Sequence, residues 1–137
     1  MLESHYRRSE MKIKIIEAMP DAETLLVSFH SPAGSGTALW VGIAPNLGDE
    51  VDVEFDLDEI FSWGKNITPS SSKVPKISHT NGVTQITAEL IHASDKDCAA
   101  LKLGGSVLLI ELDGPVTQKS GYVDVRATRV LLYPTNI

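Results

Sequence analysis

Gly48-Asp49-Glu50-Val51-Asp52-Val53-Glu54-Phe55-Asp56-Leu57-Asp58-Glu59 alternates without a break between apolar and acidic residues. A strand sends successive side chains to opposite faces, so this period of two reads as a half-buried strand. Val51, Val53, Phe55 and Leu57 fall on the inner face. Glu50, Asp52, Glu54, Asp56 and Asp58 fall on the outer one. Those carboxylates stand in one row, roughly 6.5 to 7 Å apart. Such a row repels itself unless something positive faces it.

Outward from this strand the chain keeps an all-β rhythm. Met11 to Ile16 alternates, and Met19-Pro20-Asp21-Ala22-Glu23 is turn chemistry. Thr24 to His30 is a second strand. Pro32-Ala33-Gly34-Ser35-Gly36 reads as a loop, Thr37 to Ile43 as a third strand, and Ala44 to Gly48 as a turn. Strands recurring every 8 to 12 residues between Gly and Pro punctuation signal a barrel or sandwich. Asp58 to Trp63 fits either one helical turn or a strand exit. Gly64 to Gly82 holds Ser70-Ser71-Ser72, Pro69, Pro75, Lys65, Lys73 and Lys76 without an acid, and reads as a long loop.

Beyond that loop, Val83 to Ser94 forms a long strand, and Asp95-Lys96-Asp97 turns it into Cys98 to Leu103. Gly104-Gly105 is a two-residue hairpin signal. Ser106 to Leu112 follows, and Tyr122 to Tyr133 is a last strand, bent near Ala127. Gly121-Tyr122-Val123-Asp124-Val125 faintly echoes Gly48 to Val53. The expected fold is therefore all-β: a single compact barrel or sandwich of about eight mostly antiparallel strands, open to two similar OB-like halves. Residues 1–10 form a lead-in and 11–137 one β domain, with halves 11–63 and 83–133 joined by the 64–82 loop. Each half alone is marginal for an independent core, which favours one shared core.

The chain has 137 residues and a formal net charge of −6. That balance argues against non-specific nucleic-acid binding, which depends on phosphate neutralisation. It suits a basic protein partner better. No apolar run reaches the roughly 20 residues that span a bilayer, and the polar N-terminus lacks a secretory apolar core. A lone Cys98 excludes an internal disulfide framework and fits a reducing, cytoplasmic setting.

Catalytic and metal motifs are weak. Pro32 to Thr37 lacks the lysine and spacing of a phosphate loop, and Ala33 stands where a nucleophile elbow needs glycine. His5, His30, His79 and His92 have no zinc spacing to one another or to Cys98. Calcium needs six to eight converging oxygens, whereas a flat strand spreads its carboxylates. Arg126 and Arg129, with Tyr122 and Tyr133, offer a patch for stacking bases, but the aromatics do not interleave with basic residues.

The sequence therefore points to a non-enzymatic binding module without cofactor or metal. It presents Glu50, Asp52, Glu54, Asp56 and Asp58 to a basic protein, in the manner of an immunity or inhibitor protein. Two alternatives stand beside it. One is an OB-like binder of single-stranded nucleic acid. The other is a small enzyme or sugar-binding barrel using Trp40, Trp63 and Asp52. Sheet edges leave a homodimer open. The simplest rival to all of these is intramolecular neutralisation: Lys12 and Lys14 as cross-strand partners, or the 64–82 loop folded over the acids.

Overall fold

The computed structural model describes residues 10–94 and 97–135, and every regular element in them is a strand. Alternation sets which face each strand buries. β1 (Met11–Asp21) buries Met11, Ile13 and Ile15 and exposes Lys12 and Lys14. β2 (Thr24–Ser31) buries Val27 and Phe29, and β3 (Gly34–Trp40) buries Gly36, Ala38 and Trp40. β4 (Glu50–Leu57) buries Val53, Phe55 and Leu57. β5 (Ile60–Phe61), β6 (Ile67–Pro69) and β7 (Lys76–Thr80) are short. β8 (Val83–Ala93), β9 (Cys98–Leu103), β10 (Ser106–Leu112), β11 (Tyr122–Ala127) and β12 (Val130–Pro134) complete the order.

Turn chemistry joins the hairpins. Thr80 faces Val83 across Asn81 and Gly82, whose φ values of 52° and 79° are the left-handed pair that a two-residue hairpin needs. Leu103 faces Ser106 across Gly104-Gly105.

Five strands close into a barrel. β1 lies between β2 and β4, and β2 pairs with β3. β3 then runs parallel to β12, with Leu39 opposite Leu131 and Trp40 opposite Leu132. β12 returns antiparallel to β4. The order β1-β2-β3-β12-β4 therefore comes back to β1.

The remaining strands repeat this plan. β8 pairs with β9 and β11, and β9 with β10. β10 runs parallel to β5, and β11 pairs with β6. β5 and β6 together, joined by the turn at Ser62–Asn66, take the place that β12 takes in the first ring. The registers agree pair by pair. Val27 opposite Ala38 recurs as Ala99 opposite Ile110. Met11 opposite Val53 recurs as Ile86 opposite Val125. The bulge between Ile15 and Glu17 recurs between Leu90 and His92. Even the parallel contact recurs, Leu39 to Leu131 as Glu111 to Ile60.

The two rings exchange their closing strands. β4 leads straight into β5, which completes the second ring. β11 leads straight into β12, which completes the first. The crossing segments lie side by side, with the Asp58 amide donating to the Arg129 carbonyl at 3.0 Å. One hydrophobic cluster takes residues from both rings, from Ile13 and Phe55 to Leu101 and Val125.

The all-β barrel agrees with the sequence pattern, and the count of twelve strands among the described residues has local causes. Asp58 to Trp63 contains β5, with no helical turn. The stretch 64–82 carries β6 and β7, because β11 and β8 offer edges for them. The last apolar run divides at Thr128-Arg129, where it crosses between rings. β3 starts at Gly34, inside the expected loop, and ends at Trp40. The lead-in, except Glu10, and the turn residues Asp95 and Lys96 lie outside the described residues. Among the described residues, no helix is long and apolar enough to cross a membrane.

Candidate functional site

β4 is an interior strand, so its acids are not the charged guard of a sheet edge. β1 flanks it on one side and β12 on the other. Its inner residues Val53, Phe55 and Leu57 are buried, which fixes Glu50, Asp52, Glu54, Asp56 and Asp58 on the outer face.

The row is met differently along its length. Lys14 stands opposite Glu50 and Lys12 opposite Asp52. Lys12 Nζ reaches Asp52 Oδ1 at 3.4 Å, with side chains 58% and 29% exposed. In the middle, Glu54 stands opposite Tyr133 and Asp56 opposite Leu131 on β12. At the far end Arg129 Nε donates to Asp58 Oδ2 at 2.6 Å. Glu59 Oε1 accepts the amides of Thr128 at 2.6 Å and Arg129 at 3.1 Å. Asp58 and Glu59 thus hold the crossing between the rings together. The Asp49 carboxylate accepts the Asn46 amide at 3.1 Å and ties down the loop before β4.

The lysine-bearing stretch 64–82 runs mainly along the second ring. Lys76 opens β7 opposite Thr87, and the Lys65 carbonyl accepts the Arg126 guanidinium. Arg126 also donates to Thr68 Oγ1 at 3.4 Å. Both arginines of the proposed base-stacking patch therefore have protein partners, and a strand break separates them.

The residues of the third candidate are dispersed. Trp40 belongs to the first ring and donates its indole N–H to the Ile43 carbonyl at 2.7 Å. Asp52 faces Lys12 on the outer surface. Trp63 bridges to Ile67 beside the second ring. Among the described residues no group of three or more His, Cys, Asp or Glu is placed to hold a metal ion. Cys98 is half-buried, with Ser94 Oγ 3.4 Å from its sulfur.

Two further features escaped the sequence pattern. A groove of about 430 Å³ on β2, β3 and β7 includes Ser28, His30, Ser35, Thr37 and His79. Its polar side chains come from adjacent strands, with His30 opposite Ser35 and Ser28 opposite Thr37. Only strand pairing brings them together. The second is the loop from Val41 to Asp49. It presents Ile43 at 83% and Leu47 at 65% exposure beside a cavity of about 310 Å³. The sequence signal there is apolar residues set among Gly, Pro and Asn, and Ile43 reads as a continuation of the third strand.

The architecture defines a closed β-barrel chain whose second set of strands repeats the first and exchanges closing strands with it. Compared with protein families, with curated proteins and with solved structures, the chain matches none.

Proposed function

We propose that this chain is a non-enzymatic binding module that docks a basic protein on the outer face of β4. The supporting observation is the centre of that row, where Glu54 stands in register with Tyr133 on β12. Among the described residues, Lys14 stands opposite Glu50, Lys12 meets Asp52 and Arg129 meets Asp58, toward the two ends of the row. Glu54 in the middle is paired in register with Tyr133, which brings an aromatic surface and no charge. A half-buried tyrosine beside a carboxylate suits an interface, since aromatic residues anchor contacts and charge steers encounter. An immunity or inhibitor protein that covers the cationic cleft of a toxin is the concrete form of this reading.

The experiment is affinity capture with the wild-type chain and with the Glu54→Lys, Asp56→Lys double variant. A basic protein retained by the first and lost by the second supports the reading. Equal retention by both overturns it.

A second reading is favoured by the ring order. OB-fold barrels are also five-stranded, and they bind oligonucleotides or oligosaccharides across strands two and three. Here that face bears the His30 and Ser35 groove. Fluorescence anisotropy with single-stranded oligonucleotides at low and high salt tests it. Binding that weakens steeply with salt favours this reading over the first.

A further inference from the structure

We infer that the loop Val41 to Asp49 and the start of β4 form an anchor cleft for a lysine or arginine side chain of the basic partner; this rests on the docking reading above. The cleft is lined by Trp40, Ile43, Pro45, Asp49, Glu50 and Pro134, among others. Its lining is mainly apolar and includes two acidic residues, Asp49 and Glu50. Lysine and arginine have this dual chemistry, an aliphatic stem that packs on apolar surface and a charged head that stays at the rim. A purely apolar side chain would make no use of Asp49 and Glu50 in the lining. An acidic one would be repelled by them.

The loop is held in place before any partner arrives. The Trp40 indole fixes the Ile43 carbonyl, and the Val41 amide donates to the Leu132 carbonyl at 3.0 Å. The Gly48 amide donates to the Ile15 carbonyl at 2.8 Å, and the Asn46 amide and Asp49 carboxylate close the turn. Ile43 and Leu47 are nonetheless exposed. Exposed apolar side chains on a braced loop can take a partner with little further ordering cost.

The second ring supplies an internal control. Its loop from Asp113 to Gly121 joins the equivalent strands, β10 to β11. Where the first ring has Val41, Ile43 and Leu47, the second has Asp113, Pro115 and Lys119. Gly121 and Tyr122 stand where Asp49 and Glu50 stand. The shared architecture therefore requires neither the exposed apolar residues nor the carboxylates. They are particular to one of two equivalent places.

The test is an NMR titration of the whole chain with the blocked peptide acetyl-Leu-Arg-Leu-amide, and with its citrulline counterpart, equal in shape and uncharged. The arginine peptide is expected to shift the Ile43 and Leu47 resonances and the Trp40 indole proton, and to leave 113–121 unmoved. Asp49→Asn with Glu50→Gln should weaken it about tenfold, near 1.4 kcal/mol. Ile43→Ser should weaken it as well, and so should Glu50→Gln alone, which leaves the Asp49 brace on the Asn46 amide intact. Equal binding of the citrulline peptide overturns the inference, as does the absence of shifts in the loop. Concentration-dependent shifts there without peptide overturn it in favour of a second copy of the chain. Glu54→Lys separates the two proposals, since it should abolish capture of the whole partner and leave the peptide titration intact. Loss of capture without any peptide shift removes only the anchor cleft.

Discussion

Asp52 and Asp124 occupy the same place in the two rings, and each is held by the residue opposite it on the first strand of its ring. Asp52 receives Lys12 Nζ at 3.4 Å, and Asp124 Oδ1 accepts the Thr87 hydroxyl at 2.6 Å. Lys12 pairs with Asp52 in register as Thr87 pairs with Asp124. The Val-Asp-Val echo thus has a structural counterpart. The same carboxylate position is satisfied by an exposed ion pair in one ring and by a buried hydroxyl in the other.

That difference predicts unequal costs. Thr87 is buried, so Thr87→Val should destabilise by about 1.5–3 kcal/mol, the worth of a hydrogen bond to a charged group. Lys12→Met should cost about 0.2–1 kcal/mol, because an exposed pair is screened and entropically loose. Urea unfolding of both variants measures the gap. An equal or larger loss at Lys12 would contradict the assignment.

The exchange of closing strands predicts cooperativity. Leu132 in β12 and Phe61 in β5 are fully buried, and each seals the ring its own strand did not start from. Leu132→Ala should cost about 2–5 kcal/mol and Phe61→Ala about 3–5 kcal/mol. Both should still unfold in one transition, because neither ring closes without chain from the other. Calorimetry that shows two separated transitions would sink the idea. Truncation before Val130 should prevent folding altogether, since it opens β3 and β4 together.

Backbone geometry separates two glycines. Gly34 has φ of 140°, and a Cβ there would collide with the Ile77 carbonyl oxygen, where β3 meets β7. Gly82 has φ of 79° in the hairpin, with open space around it. Gly82→Ala should cost about 1 kcal/mol, from backbone strain alone. Gly34→Ala should cost clearly more, because the clash adds to strain of about 1–3 kcal/mol. Thermal melting of the two variants gives the order, and a reversed order refutes it.

What the sequence revealed and what it hid divide along one physical line. Period-two alternation displays the inner face of a strand, so Val53, Phe55 and Leu57 were legible, and so was the acid row opposite them. Turn residues marked Gly104-Gly105. Lys12 was legible as a partner because it alternates on the neighbouring strand. Strand order is carried by contacts between distant residues, such as Trp40 with Leu132, and local pattern contains no trace of them. β5 has only two residues, too few to alternate. The polar groove of His30 and Ser35 depends on the β2–β3 register and is invisible before that register is set.

Under the docking reading, the acid row should trade stability against binding. Glu54 lies among like charges on one face, and its register partner Tyr133 offers no cation. Carboxylates two residues apart repel at short range, and salt screens that repulsion. Glu54→Gln should therefore leave stability within about 0.5 kcal/mol of the wild type or raise it. Any gain should fade as ionic strength rises, because salt relieves the wild type of the same repulsion. Under the docking reading, capture of a basic protein should weaken in parallel, since residues kept for function are often ones the fold does not need. The pair of measurements is denaturation of both chains at low and high salt, set beside partner capture. If Glu54→Gln destabilises the chain markedly, Glu54 is a structural residue and the centre of the row is no docking surface.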